Sequence, residues 1–175
     1  MVKLNGTLVL VGAGKMGGAM LEGWLKGGAD PAKVVAIDPA PPAEVKALLE
    51  KNRVRLNPPV SDITDAEVII VAVKPQMMEA ALPRLAPLGG GGTLFLSVAA
   101  GTPIRYYEDV LGPRTPVIRA MPNTPAAIGR GITALIGNRV STEGQMELAE
   151  TLLAAVGQTV RLDDEAEIDA VTGVS

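Results

Sequence analysis

Neither cysteine nor histidine occurs among the 175 residues. Without cysteine there is no disulfide, no thiolate nucleophile and no Cys-based metal site. Without histidine no imidazole serves as general base or metal ligand, so Ser-His-Asp and His-zinc schemes are excluded for this chain. There is no Lys/Arg block and the formal net charge is −3, a balance that argues against nucleic acid or an anionic membrane as the main partner. Apolar runs of membrane-spanning length and a signal-peptide pattern are missing too. The expectations are therefore a cytoplasmic location, no metal, and no nucleic-acid or membrane partner. Internal repeats are also lacking, and the one low-complexity tract is Gly89 to Gly92.

What the chain does have is enough apolar content, 47% against 20% charged, to build one good core. Short apolar runs alternate with amphipathic ones. "TLVLVG" (Thr7 to Gly12), "KVVAID" (Lys33 to Asp38), "VRL" (Val54 to Leu56), "EVIIVAV" (Glu67 to Val73), "TLFLSVA", "PVIRAM", "GITALIG" and "TVRL" read as strands. Between them, Met16, Met20 and Trp24 share one helical face that Gly27 and Gly28 end, and "AEVKALLEKN" and "PQMMEAALPRL" read as helices. "TPIRYYEDVL" predicts a helix capped by Thr102 with Pro103 in its first position. "TEGQMELAETLLAAVG" predicts another, with a Thr142/Gln145 capping box and Gly157 as its stop. This alternation implies an α/β fold, a doubly wound, mostly parallel sheet with helices on both faces. "DDEAEIDAVTGVS" begins a helical pattern and breaks off at Ser175. A C-terminal part is therefore expected to be missing, with residues 1–162 forming one domain and 163–175 leading out of it.

Chemistry concentrates where strands end. Gly12, Gly14 and Gly17 form G-x-G-x-x-G between a strand and a helix. The first glycine allows the tight turn, the second admits a pyrophosphate, and the third lets helix and strand pack closely. Free N–H groups around Lys15 and Met16 would face the phosphates. Asp38 ends the second strand, either to accept from the adenosine ribose or to start a turn before Pro39. No basic residue lies near it before Lys46, which leans toward NADH over NADPH. In "VAVKPQ", Ala72, Val73, Lys74 and Pro75 stand at the end of a central strand; Lys74 donates to cofactor or substrate, or is simply solvated. Ala99, Ala100 and Gly101 leave room for a flat ring or make an ordinary tight turn. Asn123, stiffened by Pro122 and Pro125, recognises a carboxamide or caps the local backbone. Met77 and Met78 read as core filling. The acids of "DDEAE" read as a solvated helix N-terminus rather than a metal site.

"VGAGKMGGAM", "VAVKPQ", "SVAAG" and "MPNTPAAIGRG", in this order and spacing, resemble pyrroline-5-carboxylate reductase over nearly the whole chain. The pair "VAVKPQ" and "RAMPNTP" carries more of the resemblance than the glycine loop. "DAVTGVS" is similar to the start of the family's Ser/Gly-rich stretch, which leads to an all-helical domain. The resemblance implies a Rossmann-type fold and reduction of 1-pyrroline-5-carboxylate to L-proline by NADPH or NADH. It implies pyrophosphate binding by Gly12, Gly14, Lys15, Met16 and Gly17, and ribose binding by Asp38. Lys74, Pro75, Ala99, Ala100 and Gly101 would lie along the nicotinamide half, with Asn123 near the ring. Substrate-holding residues and the homo-oligomer contacts would belong to the helical domain, beyond Ser175. The chain departs from the family in having "DPAPP" where many members carry a polar or basic cluster. Two other readings share the glycine start: a β-hydroxyacid dehydrogenase, and a dinucleotide-binding module without turnover.

Overall fold

The computed structural model describes residues 2–172, so the Gly173 to Ser175 end of the "DAVTGVS" motif lies outside the described residues. Along the chain come β1 (Thr7–Val11), α1 (Lys15–Lys26), β2 (Val34–Ile37), α2 (Ala43–Asn52) and β3 (Arg55–Leu56). Next are β4 (Ala66–Val71), α3 (Met78–Leu85), β5 (Leu94–Ser97), α4 (Ile104–Leu111) and β6 (Val117–Pro122). The chain continues with β7 (Gly131–Gly137), α5 (Glu143–Leu153), β8 (Gly157–Arg161) and α6 (Ala166–Thr172).

The strands form one sheet in the order β3-β2-β1-β4-β5-β6-β7-β8. From β1 the chain winds outward to β3, then returns to the other side of β1 and winds outward again. The order therefore reverses between β1 and β4, and strands β1 to β6 pair in parallel. β7 breaks the pattern by running antiparallel to β6, with β8 parallel to β7. The connection explains this. Between β6 and β7 there is only a 3-10 turn at Thr124–Ile128, closed by Gly129 at φ 74°. A parallel crossover needs a dozen or more residues, so the chain can only fold back.

Side-chain alternation along each strand feeds two cores. Leu8, Leu10, Val68, Ile70, Leu94, Leu96, Ile118 and Ala120 face α1, α2 and α5, where Met20, Trp24, Leu49 and Leu152 meet them. Val9, Val11, Ile69, Val71, Phe95 and Val117 face α3 and α4, meeting Leu82, Leu85, Tyr107 and Leu111. Two-sided burial is why the central strands read as unbroken apolar runs. Trp24 joins α1 to α5 by donating its indole N–H to the Leu152 carbonyl at 2.9 Å. The capping box of α5 is present: Thr142 accepts from the Gln145 N–H, and the Gln145 side chain accepts from the Thr142 N–H.

Several local expectations are corrected. Thr102 does not cap α4; Pro103 occupies the N-cap and the Thr102 hydroxyl turns inward to Tyr107. Gly157 does not stop α5, which ends at Leu153; it opens β8 at φ 142° with its Cα against the Gly131 backbone. The segment from Pro75 is a 3-10 turn to Met77, led by Pro75, and only then an α-helix from Met78. Met78 is buried in the core, whereas Met77 is 47% exposed.

Trp24→Phe keeps the aromatic bulk but removes the indole donor to Leu152. Urea unfolding followed by far-UV circular dichroism should show a loss of about 1–2 kcal/mol. An unchanged midpoint would mean that this bond contributes nothing to holding α1 on α5.

Candidate functional site

Open α/β sheets bind ligands beyond the C-terminal ends of their strands, where strand order reverses. Here that point is the gap between β1 and β4, whose final residues Val11 and Val71 sit side by side. The Ala72 N–H still donates to the Val11 carbonyl at 2.8 Å, so the two chains part only beyond this bond. Gly12 then turns at φ 90°, and a Cβ there would meet the Ala72 carbonyl and the Val73 nitrogen at 2.7 and 2.8 Å. A Cβ on Gly17 would overlap the Gly12 carbonyl oxygen. Gly14 between them is the opposite case, with no heavy atom within 4 Å of a Cβ built on it. Two glycines are thus forced by crowding, and the middle one faces empty space at the N-terminus of α1.

Gly14 is the N-cap of α1 and offers no side-chain cap. The first turn holds no acid, and Lys15 stands there exposed. A positive side chain at the positive end of a helix is unfavourable for the helix alone. Together with uncapped N–H groups it suits an anion. A paired phosphate fits this cradle: it would fill the space at Gly14 and satisfy the Lys15 and Met16 amides.

Asp38 stands beside this turn. One carboxylate oxygen accepts from the Ala13 N–H at 2.7 Å and the other from the Ala40 N–H at 2.8 Å. Asn57, at φ 53°, holds the Asp38 backbone from both sides, its amide accepting from the Asp38 N–H and donating to the Asp38 carbonyl. Asp38 is therefore the turn-initiating residue of "DPA" and also part of the glycine loop. Asp38 is half-buried, and its carboxylate has lone pairs left over for hydroxyl donors.

The other loops leave the same edge because the parallel register carries it across: Val11 beside Val71, Val71 beside Ser97, and Ser97 beside Arg119. Ala72 and Val73 are half-buried against the glycine turn, whereas Lys74 and Pro75 are exposed. Ala100 and Gly101 are exposed, and Gly101 turns at φ 71° in open space. Ala99 differs from the expectation, since its side chain belongs to the core under α3 and α4. Asn123 stands four residues past Arg119, about 13 Å farther along β6. Its amide oxygen accepts from the Ile132 N–H at 2.9 Å, so its donor half is what it presents outward. The turn that follows packs beside α1, bringing the "MPNTP" loop next to the glycine-loop helix.

Sequence reasoning passed over a polar cluster beneath this edge. Ser97, Thr102, Tyr107 and Arg119 are all buried on the α4 side of the sheet. The Ser97 and Tyr107 hydroxyls bond each other, and Thr102 is close enough to influence the Tyr107 phenol. Burial pushes the Tyr107 phenol above its ordinary value even though its hydroxyl partners and the Arg119 charge pull the other way. Arg119 bonds Glu165 at 2.9 Å and Asp169 at 3.1 Å. Glu165 is thus no solvated helix-start acid. The signal available was one arginine inside the apolar run "VIRAM", a charge that needs a buried partner.

The family model described as NADP oxidoreductase, coenzyme F420-dependent, matches residues 7–101. The pyrroline-5-carboxylate reductase of Pseudomonas aeruginosa is 39% identical over 168 residues, covering 96% of this chain and 62% of its own length. The structure of a pyrroline-5-carboxylate reductase from Coxiella burnetii superposes with a TM-score of 0.90 at 26% identity, over 98% of this chain and 64% of that one. A Plasmodium falciparum pyrroline carboxylate reductase with NADP bound gives a TM-score of 0.81 at 20% identity, over 98% and 62% of the two chains; at that identity the likeness is of fold alone. The chain spans about three fifths of the length of the curated relatives it matches. With its glycine loop inside the matched segment, the chain belongs to the NADP oxidoreductase, coenzyme F420-dependent family, and its similarity within it is to pyrroline-5-carboxylate reductases.

Proposed function

We propose that this chain binds a reduced nicotinamide dinucleotide, NADH or NADPH, across the β1/β4 crevice. We place it in a protein that reduces 1-pyrroline-5-carboxylate to L-proline, the last step of proline biosynthesis. The observation that carries the reading is the cradle at Gly14: open space in front of uncapped helix amides, between two glycines that nothing larger can replace. In this reading Gly12, Gly14, Lys15, Met16 and Gly17 hold the pyrophosphate. Asp38 accepts from the adenosine ribose. Ala72, Val73, Lys74 and Pro75 line the crevice from β4, Ala100, Gly101 and the backbone of Ala99 from β5, and Asn123 donates to the carboxamide oxygen.

When bound, the reduced cofactor supplies a hydride. A pyrroline protonated on its ring nitrogen already carries an electrophilic carbon, so the site needs no imidazole acid, and this chain has none. What its residues contribute is position: phosphates fixed at α1, ribose fixed at Asp38, and the reacting end laid along the rims of β4 and β5. The groups that hold the substrate, the contacts between copies in a homo-oligomer and the cytoplasmic location belong to the same proposal. They rest on the resemblance to full-length reductases, not on residues described above.

The cofactor choice follows from Asp38. Its carboxylate is fixed by Ala13 and Ala40, and in the segment Pro39 to Ala43 that follows there is no cation. A 2′-phosphate would bring two further negative charges to this rim. NADH is therefore the better fit.

Titration calorimetry of the chain should give heat with both nucleotides and tighter binding for NADH. No heat with either overturns the reading. Gly14→Val should still fold, because φ −73° suits any residue and the space is open. It should weaken NADH at least about tenfold, some 1.4 kcal/mol, by filling the cradle. Asp38→Asn should weaken NADH several-fold and NADPH less, narrowing the gap between them. In steady-state assays of the whole protein, NADH should be oxidised with 1-pyrroline-5-carboxylate, and NAD+ should not be reduced with β-hydroxyacids; the reverse pattern would point to a dehydrogenase.

A further inference from the structure

The loop Val98 to Pro103, between β5 and α4, carries the exposed Ala100 and Gly101 at the rim of the crevice. Its own backbone gives it little support. Val98 donates to the Val71 carbonyl at 3.0 Å, and Ala99 donates to the Ser97 hydroxyl at 3.2 Å. A Cβ built on Gly101, which sits at φ 71°, would meet nothing within 4 Å. A six-residue loop with a left-handed glycine and so few backbone bonds should sample several shapes. Hydride transfer tolerates little of that, since reacting atoms must be held within a fraction of an ångström.

What restrains the loop lies underneath it. The Tyr107 hydroxyl, on a fully buried side chain, bonds Ser97 at one end of the loop, and the buried Thr102 side chain at the other end acts on the same phenol. Ser97 in turn takes the Ala99 N–H, so one hydroxyl pair reaches into the loop itself. At the exit, Glu165 accepts from the Ile104 N–H at 2.8 Å with the same oxygen that pairs with Arg119. Arg119 is 2% exposed and rises from the neighbouring strand opposite Ser97. The loop is thus tied at both ends to one buried polar cluster. The tie at its exit comes from the residue that precedes α6.

We propose that Tyr107, with Ser97, Thr102 and the Arg119–Glu165 pair, forms a positioning group that sets the Ala99 to Thr102 loop as the platform for the nicotinamide ring. These residues touch neither cofactor nor substrate. They act through the loop backbone. The proposal rests on the cofactor reading of the preceding subsection and adds which buried groups make the nicotinamide half of the site rigid. Burial raises the Tyr107 phenol above its ordinary value, and either hydroxyl of the Ser97–Tyr107 pair can be the donor.

The test compares NADH with ADP-ribose, which keeps the phosphates and adenosine but lacks the nicotinamide. Tyr107→Phe keeps the ring in the core and removes only the hydroxyl. For this chain the expected result is a rise of about tenfold in the Kd for NADH, with the Kd for ADP-ribose changed less than about twofold. Hydrogen exchange should rise in residues 98–103 and stay unchanged in α1. A purely structural role would weaken both ligands alike or neither, and either result overturns the proposal. Thr102→Val, read in the same way, provides the same comparison if Tyr107→Phe does not fold. Binding of neither ligand by the unsubstituted chain would overturn the cofactor reading and this proposal together. Equal effects of Tyr107→Phe on two ligands that the parent binds would overturn this proposal alone.

Discussion

The backbone contact between the ends of β1 and β4 is the constraint on which the rest depends. Gly12 lies against the Ala72–Val73 peptide and Gly17 lies under the Gly12 carbonyl. The crossing of α1 over β1 is therefore set by crowding, at a place where no side chain fits. Once α1 is seated there, its uncapped N-terminus must face the crevice opened by the reversal of strand order. The Ala13 amide is satisfied by Asp38 from the next strand, which leaves the amides farther along free to face a ligand. Sheet topology, helix orientation and anion site are consequences of one close approach.

The same edge shows how a doubly wound fold spreads a site over distant parts of the chain. Residues from five loops converge because the parallel register keeps Val11, Ile37, Val71, Ser97 and Arg119 in one row. Each loop then differs in what holds it. The glycine turn is held by packing. Asp38 is held by Asn57 and by backbone donors. The Ala99 to Thr102 loop is held by buried hydroxyls and by the Arg119–Glu165 ion pair, whose Glu165 also accepts from the Ile104 N–H at the start of α4. Asn123 is held by the antiparallel return of β7.

Much of this was legible in the residues. Two-sided apolar runs announced the central strands, and their alternation with amphipathic stretches announced the doubly wound sheet. Gly12, Gly14 and Gly17 were readable because backbone proximity has a residue signature. The Thr142/Gln145 capping box was readable because it is local. Thr102 was misread for a matching reason. A threonine before a proline suits a helix cap, and nothing nearby in sequence tells that its hydroxyl turns to Tyr107. Glu165 was misread as solvated because its partner, Arg119, lies 46 residues earlier. Asn57, Ser97 and Tyr107 went unnoticed because their functions exist only between strands.

The sequence by itself determined the class of fold and the place of the glycine turn, since each depends on periodicity or on short-range backbone geometry; the family followed from the resemblance of its motifs. Tertiary structure alone decided the double duty of Asp38, the inward face of Ala99 and the buried cluster around Tyr107. Those depend on which side chains meet across the sheet. That information resides in register and burial, and it comes into being only when residues far apart in the chain are brought to one edge.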